Sequence, residues 1–129
     1  MFAFAESDNL IIVTYRPGPG DIYKAFARGF GEITAPFRYD HLIDLRGMTG
    51  PVDIPSSTEL GKRWTELTRG HDVGRRTAVV CDDEAFQKQL DVFRLVYPFR
   101  KIAMFSDFDA AMAWLMDISD TGEDQVQFI

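Results

Sequence analysis

The chain is predicted to take an α/β fold: a mixed, mostly parallel sheet with an N-terminal β-hairpin and about four helices, in the order β-β-α-β-α-β-α-β-α. Three observations carry that prediction. The chain has 129 residues, 46% of them hydrophobic and 26% charged, which is the size and composition of one globular domain. Its first fifteen residues hold two strand-type runs with a turn signal between them. Beyond them, short strand-type runs alternate with segments of helical period, the pattern of right-handed crossovers in a parallel sheet.

In order, Met1–Ala5 and Leu10–Tyr15 are rich in strand formers, and Asp8-Asn9 marks the turn of a hairpin. Pro17-Gly18-Pro19-Gly20 breaks the second strand, and Asp21 is placed to cap a helix. Ile22, Phe26 and Phe30 repeat at i, i+4, i+8 and draw one apolar helical face, which Gly31 and Pro36 stop. His41-Leu42-Ile43-Asp44-Leu45 reads as a short strand, and residues 46–55 as a loop. Ser56 and Glu59 have the spacing of a capping box, followed by an apolar face of Leu60, Trp64 and Leu67 that ends at Gly70. Arg76–Cys81 is a buried-type strand. Asp82-Asp83-Glu84 opens a third helix, with Phe86, Leu90 and Phe93 on one face and Pro98 closing it. Lys101–Phe105 is the last strand. Ser106 or Asp107 caps a final helix, with Phe108, Met112 and Leu115 facing inward beside Ala111.

The formal charge is −6, and four acids (Asp117, Asp120, Glu123, Asp124) lie in the last 13 residues with no base among them. The chain therefore divides into a domain, 1–117, and an acidic tail, 118–129. An acidic domain is a poor nucleic-acid binder, because phosphate contacts carry most of that affinity. Cys81 is the single cysteine, which suits a reducing cytoplasm. Glu6 and Asp8 near the start, without a positive stretch, do not fit a signal peptide, and no apolar run has the length of a membrane span.

Three stretches resemble a known family. They are Leu42-Ile43-Asp44-Leu45-Arg46-Gly47 after an amphipathic helix, Arg76-Thr77-Ala78-Val79-Val80 after the second helix, and Phe105-Ser106-Asp107-Phe108 running into Ala111-Met112-Ala113-Trp114-Leu115. Together with the element order they resemble the STAS domain, and more closely the SpoIIAA-like (STAS/SEC14-like) family of small bacterial proteins, over about residues 1–117. The resemblance implies a cytoplasmic sheet with helices packed on it. Antagonists of that kind are phosphorylated on a serine of an Asp-Ser pair that opens the helix after the mid-chain strand. Here the region reads Met48-Thr49-Gly50, then Pro55-Ser56-Ser57-Thr58, without such a pair, so that serine is carried over to no position.

Candidate sites follow from position. The loop 47–58 lies at a strand's carboxyl end and before a helix N-terminus, where open α/β sheets bind ligands and the dipole favours anions. Thr49, Ser56, Ser57 and Thr58 are its hydroxyl donors. Phe26, Phe30, Trp64, Phe93 and Phe108 are candidates to line an apolar pocket, as the kinship to lipid carriers implies; otherwise they are core. Asp82 and Asp83 at a strand end suit Mg²⁺ only with a partner Asp such as Asp44 and a lysine such as Lys101, and helix capping explains them better. Cys81 reads as a buried thiol, and His41 and His71 as surface histidines. Arg69, His71, Arg75 and Arg76 form one basic knot, and Arg94, Arg100 and Lys101 another, each suited to an acidic partner or to solvent. Met104, Met112 and Met116 gather near Trp114. Gln125–Ile129 alternates polar and apolar and suits an edge strand or a groove.

No catalytic constellation, metal set or cofactor motif emerges, so the expected function is non-enzymatic: a protein-interaction or regulatory module, with another protein or a second copy as partner. The alternative is a carrier of a small apolar or lipid ligand, which requires an internal cavity of roughly 300 Å³ or more.

Overall fold

The computed structural model describes residues 2–7, 9–48, 53–72, 74–97 and 99–116. Strands β1 (Phe2–Glu6), β2 (Leu10–Tyr15), β3 (Asp40–Asp44), β4 (Arg76–Val80) and β5 (Lys101–Phe105) form one sheet in sequential order. β1 and β2 pair antiparallel as a hairpin, Phe2 opposite Tyr15, and the remaining pairs are parallel, with His41 beside Thr77 and Val79 beside Met104. The predicted mixed, mostly parallel α/β sheet is therefore present.

Helices α1 (Ile22–Gly31), α2 (Ile54–Thr68), α3 (Glu84–Gln87) and α4 (Leu90–Val96) occupy the crossovers, and α5 (Phe108–Met116) follows β5. Sequential parallel strands joined by crossovers of one hand place the connecting helices on the same face. One sheet face accordingly carries Ile11, Val13, Ile43, Leu45, Val79, Ile102 and Met104 against Phe30, Trp64 and Val96 of α1, α2 and α4. The opposite face presents Leu42, Ala78, Val80, Ala103 and Phe105 to Ala111 and Leu115 of α5. Period-two alternation separates the two sets. No helix among the described residues is long and apolar enough to cross a membrane.

Asp21 caps α1 as expected, its carboxylate accepting from the backbone N–H of Tyr23 at 2.9 Å and of Lys24 at 3.3 Å. Asp107, rather than Ser106, caps α5 through Ala110 N–H at 2.9 Å. Other details depart from the sequence reading. α2 begins at Ile54 with Asp53 as its N-cap, so the Ser56–Glu59 capping box is not formed. Pro55 fits a first helical turn, where its missing N–H costs nothing, and the helix runs through it. The buried stripe of α2 is Ser57, Gly61, Trp64 and Thr68, while Leu67 is half exposed. Small residues on that stripe let α4 pack closely on α2. The third expected helix is two pieces, α3 and α4, giving five α-helical segments among the described residues rather than four. α3 is held to the end of β4, where the Gln87 side-chain amide donates to the Cys81 carbonyl at 2.7 Å. Met104 lies on the opposite sheet face from Met112, and Met116 is exposed, so the three methionines do not gather. The inward facing of Phe86 and Leu90, the stop at Pro98, and the tail 118–129 with its Gln125–Ile129 alternation lie outside the described residues or side chains.

Gly29 sets how closely α1 approaches β1. A methyl group there meets the ring of Phe4, which packs edge-on against Phe30 at 5.2 Å. Gly29→Ala is expected to cost about 1–2 kcal/mol, since overpacking of that size outweighs the roughly 1 kcal/mol helical preference for alanine. Urea denaturation measures it, and unchanged stability would mean that Phe4 swings aside freely.

Candidate functional site

The carboxyl ends of the strands are built around Asp44. Its carboxylate accepts from Arg46 at Nη2 (2.8 Å), Nε (3.0 Å) and backbone N (3.1 Å). Burial raises the Asp44 pKa, but these bonds and the Arg46 charge outweigh it and leave the carboxyl below its usual value. Arg46 also lies over the Phe108 ring at 5.4 Å. Asp82 is beside this loop, accepting from Gly47 N–H at 3.4 Å. Lys101 starts β5 beside Arg76, at the opposite end of the sheet, so no lysine from that position faces Asp44 and Asp82. Among the described residues no group of three His, Cys, Asp or Glu side chains is placed to hold a metal ion.

Of the loop candidates, Thr49 lies outside the described residues. Ser56 Oγ donates to Asp53 Oδ2 at 2.7 Å, and Thr58 Oγ1 donates back to the Ile54 carbonyl at 2.9 Å. Ser57 is buried and faces an apolar pocket. The three hydroxyls thus serve different surroundings. The basic knots also separate: Arg76 lies over Trp114 at 5.1 Å, Arg94 pairs with Asp91 at 2.6 Å, and Arg100 is buried. Arg69, His71, Arg75 and Lys101 remain exposed.

Cys81 is buried at the end of β4. Burial pushes its thiol pKa up, and the nearby Asp82 and Asp83 charges add to that. Alkylation at pH 7 is expected to be more than about tenfold slower than for a free cysteine, because both thiolate fraction and access fall. Rapid labelling of the folded protein would contradict this placement.

Between α1 and α2 the helical layer is open. One pocket of about 60 Å³ is walled by Phe2, Phe26, Leu45, Leu60, Phe93 and Tyr97, with the buried Ser57 also in its lining. A second, of about 90 Å³, shares Phe26, Leu60, Val96 and Tyr97 and adds Phe30 and Trp64. Four of the five aromatic candidates therefore converge here. Phe108 does not; it packs on the opposite sheet face.

Behind the second pocket lies a buried polar cluster that the sequence reading did not assemble. His41 was expected at the surface but is fully buried, ringed by Phe30, Trp64 and Tyr97 at centroid distances of 4.8, 5.5 and 5.9 Å. Its Nε2 lies 2.9 Å from the Pro36 carbonyl. Asp72 Oδ2 accepts from Trp64 Nε1 at 2.6 Å and lies 3.8 Å from Arg100 Nη1. Arg100 donates from Nε to Thr77 Oγ1 at 2.8 Å and from Nη2 to the carbonyls of Tyr39 (2.6 Å) and Arg76 (3.2 Å). Burial, and then the Arg100 charge, hold the His41 pKa well below 6.5, so the ring is neutral. Burial raises the Tyr97 hydroxyl far above its ordinary value and lowers that of Arg100. A signal for this cluster was present: His41, Thr77 and Arg100 have the parity of Ile43, Val79 and Ile102, the residues facing α1, α2 and α4.

Fold and site together define an α/β protein with a five-stranded mixed sheet, an apolar opening between two helices and a buried polar cluster behind it. Compared with models of protein families, with curated proteins and with solved structures, the chain finds no match in any of the three.

Proposed function

We propose that this chain is a non-enzymatic module of the STAS-like kind that acts by binding another protein, and that the partner's apolar side chain seats in the opening between α1 and α2. The observation that carries this reading is the size and lining of that opening. Its two apolar parts measure about 60 and 90 Å³, and a third, more polar part of about 150 Å³, edged by Asp21, Lys24, Glu59 and Arg63, adjoins them at Leu60. Neither apolar part approaches the roughly 300 Å³ at which whole small-molecule ligands are enclosed. Their size suits a single inserted anchor, and buried aromatic or aliphatic anchors carry most of the energy of many interfaces. A small-ligand or lipid carrier is the second reading, favoured by the convergence of Phe26, Phe30, Trp64 and Phe93 at the opening.

Titration of ¹⁵N-labelled protein with side-chain mimics (indole, p-cresol) and separately with palmitate tests both. Millimolar binding of the mimics with shifts centred on Phe26, Leu60 and Tyr97, and no stoichiometric palmitate binding, is the expected result. Tight one-to-one palmitate binding would replace the interaction reading with the carrier. Failure of every probe to bind would overturn the anchor pocket.

A further inference from the structure

We infer that the cluster at the amino ends of β3, β4 and β5 is a built site for ordered water, which joins His41, Asp72, Tyr97 and Arg100. Four polar atoms there are buried and, among the described residues, have no hydrogen-bond partner: His41 Nδ1, Asp72 Oδ1, Tyr97 Oη and Arg100 Nη1. Such groups are costly to leave unpaired, and one cluster holding four of them marks a place for a ligand. The side chains that carry them are neighbours. Arg100 Cζ is 5.7 Å from the Tyr97 ring centre, Tyr97 is 5.9 Å from His41, and Arg100 Nη1 is 3.8 Å from Asp72 Oδ2.

The chemistry of the four atoms selects the occupant. A carbonyl only accepts, so the 2.9 Å contact with Pro36 O puts the proton of neutral His41 on Nε2. Nδ1 is then a bare acceptor. Asp72 Oδ1 is a second acceptor, Arg100 Nη1 is an obligate donor, and the Tyr97 hydroxyl is either. An anion is repelled by Asp72 and by the Nδ1 lone pair. A metal cation is repelled by the Arg100 guanidinium. A small neutral group that both donates and accepts satisfies all four, and buried water with two to four protein partners has that character. The site is separate from the apolar opening and does not depend on the function proposed for it.

Water-selective NOE and ROE spectra of the full-length protein at pH 7, with long-range ¹H–¹⁵N spectra of the histidines, test this. The expected result is protonated Nε2 and bare Nδ1 at His41, with cross-peaks from the Trp64 indole N–H to long-lived water. Tyr97→Phe is expected to weaken those cross-peaks at least about twofold by removing one partner of the water. Absence of long-lived water in the wild type would overturn the inference. So would the opposite His41 tautomer, cross-peaks unaffected by Tyr97→Phe, or crystallographic density at the cluster larger than water.

Discussion

Replacing Arg100 by methionine is expected to lower the free energy of unfolding by about 3–5 kcal/mol, the usual cost of stranding one partner of a buried ion pair. Arg100 and Asp72 have side chains that are 0% and 1% exposed, so bulk solvent does not screen the pair. Removing the guanidinium leaves the Asp72 carboxylate without its ion-pair partner, held among the described residues by the Trp64 indole alone. It also removes the bonds by which Arg100 ties together the carbonyls of Tyr39 and Arg76 and the Thr77 hydroxyl, at 2.6, 3.2 and 2.8 Å. Those groups belong to the approach to β3 and to the start of β4, so one side chain fastens three neighbouring stretches of the sheet's amino edge. A small domain has about 5–15 kcal/mol in total, so the variant is expected to lie near the limit of folding. Arg100→Lys keeps the charge but loses the fork, and most of the loss should persist. Urea denaturation of both variants and of Asp72→Asn/Arg100→Met measures this. A single-variant loss below about 1 kcal/mol is the value of an exposed pair, and would show that bulk solvent screens the guanidinium.

The architecture was largely legible because it rests on local signals. The hairpin is announced by strand formers on either side of Asp8-Asn9, α1 by Asp21 and the Ile22–Phe26–Phe30 spacing, and β4 by an apolar run. What local signals do not encode is the neighbour. Ser57, Gly61 and Thr68 are unremarkable in sequence, yet they form the buried stripe of α2 because α4 packs there. Leu67 has the right spacing for a core face and is left half exposed for the same reason. The break between α3 and α4 lies in a stretch whose apolar spacing alone reads as one helix.

The candidate site divides along similar lines. Aromatic residues at helical spacing pointed to Phe26, Phe30, Trp64 and Phe93, and these do meet, since three helices share one sheet face. Phe108 has an equally apolar helix around it but follows the last strand, where no crossover rule assigns a face. The polar cluster was missed because each member is individually ordinary: a histidine beginning a strand, an aspartate in a turn, an arginine before the last strand. Only the parity shared by His41, Thr77 and Arg100 and the pairing of His41 with Thr77 link its strand-end members, and nothing local adds Asp72. Long-range register is the one quantity a single sequence does not display.

That burial gives the protein a sensitivity to acid that its composition does not suggest. His41 is held neutral, its pKa well below the ordinary 6.5, first by desolvation and second by the Arg100 charge. The unfolded chain keeps the ordinary value. More than about one unit above pH 6.5 neither state takes up a proton at this site and His41 contributes no pH dependence. As pH falls below 6.5 the unfolded state binds a proton that the folded state refuses, so stability drops with falling pH until the folded value is reached. Where the unfolded chain is protonated and the folded one is not, the slope for one such group approaches about 1.4 kcal/mol per pH unit. Other groups also titrate towards acid, so the comparison is with His41→Gln, whose amide keeps a donor for the Pro36 carbonyl and cannot protonate. The difference between the two pH profiles isolates His41. Urea midpoints measured every half unit from pH 7.5 to 4.5 are expected to fall more steeply for the wild type than for the variant. The two profiles should converge in slope above pH 6.5. Parallel profiles throughout would mean that His41 takes up its proton in the folded state as readily as in water, which a ring fully buried among Phe30, Trp64 and Tyr97 and facing Arg100 does not permit.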